Sequence, residues 1–204
     1  MSSPGQGDQP GAPAYAVLAI ASSAGGISAL RAVLSSFTGD FPAPVLLVQH
    51  LDPRHETILP SVLSRKTSLK VKLAEDREEI LPGVAYVAPP NRHLLVGRGG
   101  VLSLTETELV HFVRPSADLL FESVAASFAD RAVAVVLTGS GTDGAMGVRA
   151  VKDRNGTVIV QDPDDAEFTG MPRAAMETNT ADFVLTLAEI GPVIQRLFET
   201  EDHR

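Results

Sequence analysis

Three apolar runs, each stopping abruptly at small or polar residues, constrain this chain more than any other feature. Residues 15–21 read YAVLAIA, 45–48 VLLV and 132–137 AVAVVL, without polar alternation. A strand with one wet face alternates, whereas a strand covered on both faces reads as continuous hydrophobic sequence. The first run is followed by Leu30, Val33, Leu34 and Phe37, and the second by Ile58, Leu59, Val62 and Leu63, both at helical spacing. GTVIVQD, ADFVLTL and a final helix continue the alternation. The pattern predicts an α/β fold: a doubly wound, mostly parallel sheet with helices on both faces and right-handed crossovers. In the middle, GVAYVAPP and RHLLVGRGGVLSLTE read as antiparallel strands at one edge, the second folded into a hairpin at GRGG. RPSADLLFESVAASFAD then predicts a helix, with Ser116 as its N-cap and Asp118 favourable in its first turn.

A chain of 204 residues, 44% hydrophobic, suffices for one such domain, expected over residues 15–198. Residues 1–14, rich in Gly, Pro and Ser, read as a disordered tail, and 199–204 as a C-terminal tail. The formal charge of −8, without a run of Lys and Arg, disfavours nucleic acid as a partner. Without cysteine there is no disulfide framework or thiolate nucleophile. The N-terminus lacks the basic and apolar regions of a secretory signal, and no run of about 18 apolar residues occurs. A cytoplasmic protein without membrane insertion is expected.

In open parallel sheets, ligands bind beyond the carboxyl ends of the strands. The three runs lead there to Ser22 and Ser23, to His50, and to Asp143 within TGSGTDGAMG. A serine nucleophile needs a base to take its proton, and the base needs an acid to fix its tautomer. Ser23 is favoured over Ser22 because it stands at the turn, followed by Ala24, Gly25 and Gly26 beside a helix N-terminus. A tight packing turn is the alternative reading. His50 could equally be a hydrogen-bonded structural histidine, and His55, His93 and His111 read as structural or surface groups. Asp143 has rivals in Asp52 and Asp162, and could instead cap the helix after Gly144. GSGTDG also satisfies a bare G-x-G-x-x-G, a weak indication of nucleotide binding. The histidines show no metal-binding spacing, so neither metal nor cofactor is expected.

Taken together and in order, IASSAGG, VQHLDP, YVAPPNRHL, RPSADLLFES, VLTGSGTDGAMG and GMPRAAM resemble the catalytic domain of the CheB family, the chemotaxis receptor-glutamate methylesterases. The resemblance runs from about Tyr15 to about Ile194. It implies a serine hydrolase with Ser23 as nucleophile, His50 as base and Asp143 as its orienting acid. Backbone N–H groups near Ala24 and Ser140 would form the oxyanion hole. The implied substrates are glutamate γ-methyl esters on the cytoplasmic helices of methylated chemoreceptors, with glutamine deamidation as a companion activity. A catalytically weak receptor-binding module and a triad esterase or amidase with another substrate are the alternatives. The chain departs from the family pattern at Ala21, where glycine is usual, and at Ser140, where methionine is common. Many members also carry an N-terminal receiver domain, whereas about 14 residues precede the first strand here. Constitutive activity, or control by a separate regulatory protein, is the resulting expectation. Arg173 and Arg92 could contact receptor carboxylates or be solvated, and sequence leaves both open.

Overall fold

The computed structural model describes residues 15–51 and 57–199. The predicted tail at 1–14, residues 200–204, and the candidates Asp52 and His55 lie outside them. In chain order the elements are β1 (Val17–Ser22), α1 (Gly26–Leu34), β2 (Val45–Gln49), α2 (Leu59–Ser64), β3 (Lys70–Leu73) and β4 (Val84–Val87). There follow β5 (His93–Val96), β6 (Leu102–Thr105), α3 (Ala117–Phe128), β7 (Ala132–Val136) and α4 (Ala145–Asp153). The chain closes with β8 (Thr157–Gln161), α5 (Gly170–Glu177), β9 (Phe183–Leu185) and α6 (Leu187–Phe198).

Seven strands form one sheet in the order β3-β4-β2-β1-β7-β8-β9, with every pairing parallel. The continuous apolar runs make the central strands, and period-two alternation divides their side chains between two cores. Val17, Ala19 and Ala21 face the core completed by Leu120, Phe121 and Val124 of α3 and Val148 and Val151 of α4. Leu18 and Ile20 face the other, with Leu30 and Val33 of α1 and Ile190, Ile194 and Phe198 of α6. Each fully buried Leu, Ile, Val or Phe contributes about 1.5–3 kcal/mol of transfer free energy, so the sandwich holds the sheet from both sides.

The hairpin is antiparallel as expected, pairing β5 with β6 as a separate two-stranded sheet. Gly99 and Gly100, at φ 85° and 76°, take the left-handed backbone that its GRGG turn requires. The Val84–Val87 segment differs from expectation: it pairs parallel with both β2 and β3, inside the main sheet. All four of its residues are buried, which suits a strand with neighbours on both edges and cover on both faces. Beyond it, β3 reads KVKL, and its lysines suit an edge strand.

Chain order proceeds outward from β1 through β2 in one direction and through β7, β8 and β9 in the other. Strand order therefore reverses at β1, which brings the loops after β1, β2 and β7 together at one carboxyl edge, where doubly wound folds bind ligands.

Candidate active site

The turn after β1 is closely packed on both sides. Ser23 donates its N–H to Thr138 O at 3.0 Å and accepts at its carbonyl from Gly26 N at 2.9 Å. Gly25 adopts φ 73° as the N-cap of α1. A Cβ on Gly26 would lie 2.2 Å from Gln49 Oε1 and 2.7 Å from Ser22 Oγ, so this glycine permits a close approach that any side chain would block. On the far side, a Cβ on Gly139 would fall 2.9 Å from the Ser23 Cβ and 2.3 Å from Met171 Sδ. The segment is the tight packing turn that the sequence offered as one reading, and Ser23 within it is partly buried.

Parallel register pairs Ser22 with Gln49, so Ser23 and His50 leave adjacent strands side by side, and His50 N donates to Ser22 O at 3.1 Å. His50 Nε2 meets Asp143 Oδ2 at 2.8 Å, with the two side chains 13% and 4% exposed. Because a carboxylate can only accept, Nε2 carries the proton in that hydrogen bond, and Nδ1 remains as the basic ring nitrogen of neutral His50. The structure records no hydrogen bond between Ser23 Oγ and His50 among the described residues. Such bonds commonly tighten only with substrate bound.

Asp143 does cap a helix, though not the one that follows it. Its carboxylate accepts from Ser116 Oγ at 2.8 Å, Ala117 N at 2.6 Å and Asp118 N at 3.1 Å, closing the start of α3. Burial pushes its pKa up, but the His50 hydrogen bond and the N–H groups of Ala117 and Asp118 bring it net below the usual carboxylate range. The favourable first-turn residue of α3, Asp118, returns the arrangement: its Oδ1 accepts from Gly144 N at 2.9 Å and Gly147 N at 2.7 Å, closing the start of α4. Ser116 is the N-cap of α3, as its position predicts.

Beside His50 lies a cavity of about 300 Å³, bounded also by Leu51, Asn91, Leu109, Phe112 and Arg114. Phe112 is 94% exposed at the tip of a turn in which both His111 and Phe112 have positive φ. Arg114 is tied to Asn91 Oδ1 and to the Glu106 and Thr107 carbonyls.

The other sequence candidates take different places. His93 is fully buried, accepts from Ser116 N at Nδ1 and bonds Glu108 O through Nε2, and burial lowers its pKa. It is a structural histidine. His111 is half exposed, 3.2 Å from Asp118 Oδ2. Asp162 accepts from Asp164 N within its own loop. Arg92 pairs with Glu106 at 2.8 Å, and Arg173 is exposed on α5. The glycines of GSGTDG have separate roles: Gly139 admits Met171, while Gly141 and Gly144 take φ of 88° and 100°; a Cβ on Gly170 would stand 2.8 Å from Gly141 N. Ser140 is exposed in this loop. Sequence patterns do not single out Gln49, a buried amide that touches the residues on both sides of the site; its only signal is a polar residue closing an apolar strand.

No helix among the described residues is long and apolar enough to cross a membrane. The family model described as CheB methylesterase matches residues 18–194. A Leptospira interrogans relative is 40% identical over 183 residues, 90% of this chain and 95% of its own length. The protein-glutamate methylesterase/protein-glutamine glutaminase of Moorella thermoacetica is 40% identical over 91% of this chain and 45% of its own length. The crystal structure of the Thermotoga maritima CheB methylesterase catalytic domain superposes with a TM-score of 0.86 at 34% identity, covering 90% of this chain and 98% of that one. By sequence and by fold, this chain belongs to the CheB methylesterase family.

Proposed function

We propose that this protein hydrolyses glutamate γ-methyl esters on chemoreceptor helices, and deamidates glutamine there, through Ser23, His50 and Asp143. The observation that carries the reading is the 2.8 Å His50–Asp143 pair standing beside Ser23 at the point where strand order reverses. The names of the relatives support the activity.

In this mechanism Ser23 Oγ attacks the ester carbonyl as His50 Nδ1 takes its proton. Asp143, ionised and hydrogen-bonded at Nε2, stabilises the imidazolium. His50 then gives the proton to the departing methoxide, releasing methanol and leaving a glutamyl ester on Ser23. Water, deprotonated by the same nitrogen, cleaves that ester, so the net change is one water consumed, one methanol and one carboxylic acid formed. Glutamine would follow the same route with ammonia as the leaving group. For the oxyanion we favour the N–H groups of Ala24 and Ser140. The adjacent Gly139 N–H is committed to Phe168 O at 3.0 Å. One donor of this kind contributes about 3 kcal/mol in other hydrolases.

The test is methanol release from a methylated receptor fragment by the wild type and by Ser23→Ala. Release that falls by about 10³-fold or more in the variant supports the reading. Release that persists in Ser23→Ala, or is absent from the wild type on a fragment that another methylesterase demethylates, overturns it.

A further inference from the structure

We propose that Gln49 is a positioning residue that sets the distance between the nucleophile turn and the base. Its side-chain Nε2 donates to Ser23 O at 2.8 Å and to His50 O at 2.9 Å, one bond to each carrier. Its Oε1 accepts from Ser22 Oγ at 2.7 Å. Gln49 is 4% exposed and Ser22 is fully buried, so the amide itself is shielded from bulk water, although the Ser23 and His50 residues whose carbonyls it holds are only partly buried.

The amide orientation follows from chemistry. Two carbonyl oxygens face one end of the side chain, and carbonyls only accept, so that end is the NH₂; the other end is an oxygen, and the Ser22 hydroxyl turns to donate to it. Both amide hydrogens and one acceptor lone pair are satisfied by three residues, two of them in the proposed catalytic set. The sheet alone does not supply this restraint. Register pairs Ser22 with Gln49, and beyond it the direct tie is His50 N to Ser22 O, one residue short of the serine. Ser23 N is tied the other way, to Thr138 O on the β7 side. Among the described residues, the Gln49 amide alone couples the Ser23 carbonyl to the His50 carbonyl. The missing Cβ of Gly26, which would stand 2.2 Å from Gln49 Oε1, gives the amide its room.

This inference rests on the reading of Ser23 and His50 as nucleophile and base. A loss of alignment of about 1 Å can cost about 100-fold in rate. Gln49→Glu puts a carboxylate oxygen against two carbonyls, and Gln49→Met keeps the length without donors. Either variant, assayed on the methylated receptor fragment, is expected to lower kcat by about 10- to 100-fold with KM within about twofold. Inactivation by a fluorophosphonate directed at Ser23 should slow in parallel, and urea unfolding at the assay temperature establishes that the variant is folded. Ser22→Ala, which loses only the hydroxyl that fixes Oε1, is the milder variant and should lower kcat by about threefold; it decides the matter if the Gln49 variants do not fold. A folded Gln49 variant with unchanged kcat, a rise in KM alone, or reduced stability without slower phosphonate inactivation overturns the proposal. So does an unchanged kcat in Ser22→Ala when that variant alone folds. Ser23→Ala separates the two hypotheses: if it stays active, the catalytic reading fails; if it is dead while Gln49→Glu turns over normally, only the positioning role fails.

Discussion

Asp143 and Asp118 are two buried carboxylates in one small region, and each closes the start of the helix to which the other belongs. Asp143 sits before α4 and caps α3; Asp118 sits in α3 and caps α4. Their surroundings nonetheless push them in opposite directions. His50 lies 2.8 Å from Asp143, whose pKa is lowered once burial is outweighed. Asp118 is raised, by burial first and by the neighbouring charge of Asp143, against the Gly147 N–H. Its Oδ2 is buried without a hydrogen bond among the described residues, with His111 Nε2 at 3.2 Å. A helix-capping carboxylate becomes a candidate catalytic acid when one oxygen is also offered to a histidine, and the cap itself does not distinguish the two.

The sharpest way to break that comparison is to neutralise each aspartate in turn. Asp143→Asn should lower kcat by about 10³- to 10⁴-fold, because an amide no longer holds the protonated Nε2 tautomer; Asp118→Asn should leave kcat within a few fold. Equal losses in methanol release would show that the two positions do not differ in role. Gly147→Ala probes the shared packing instead. Its Cβ would lie 2.7 Å from Phe121 Cβ and 3.0 Å from Asp118 O, so urea unfolding should register about 1–3 kcal/mol of destabilisation. Asp118→Ala removes an acceptor from two helix-start N–H groups, and a loss of about 1–2 kcal/mol is expected in the same measurement.

The smallest effect is in pH dependence, and it carries opposite signs. With its folded pKa depressed, Asp143 contributes stability that is full above the unfolded value of about 3.9 and is lost as pH falls through the folded value below it. With its folded pKa raised, Asp118 costs stability at neutral pH, a cost that recedes as pH falls through its folded value towards about 3.9. The stability difference between Asp118→Asn and wild type should therefore shift as pH falls from 7 towards about 4; that between Asp143→Asn and wild type should shift below about 4 and also in the Asp118 range, because the Asp143 charge helps raise that group. Buried His93, depressed in its pKa, weakens the wild type and Asp118→Asn alike below about pH 6.5, whereas Asp143→Asn removes a charge that raises the His93 pKa, so its difference from the wild type moves in that range as well. Unfolding free energies at several pH values check the signs.

Much of this architecture is legible in the sequence because the strands are covered on both faces, which writes an unbroken apolar run into the chain and leaves polar residues conspicuous at its ends. That is how Ser23, His50 and Asp143 become candidates from the residue pattern, with a packing turn, a structural histidine and the rival aspartates Asp52 and Asp162 still open until the family resemblance selects among them. The Val84–Val87 strand lies inside the main sheet rather than at an antiparallel edge, and four apolar residues do not encode which strands will flank them. Asp143 illustrates the same limit. A local reading looks for its helix in the residues that follow, while the N–H groups it accepts from belong to Ala117 and Asp118, more than twenty positions earlier. Gln49 is silent because a single buried amide has no period, and its partners become visible only when β1 and β2 lie side by side.

The glycine contacts around Ser23 have a consequence for anyone wishing to redirect this scaffold to another ester. Gly26 touches Gln49 and Ser22, and Gly139 touches Met171 and Ser23, so the floor under the nucleophile has no spare volume for a designer to use. Freedom to vary lies instead at exposed side chains beside it: Phe112 bounds the cavity next to His50, and Phe168 belongs to the residue whose carbonyl accepts from Gly139 N. A library confined to those two positions would sample new substrate shapes while leaving the buried framework untouched.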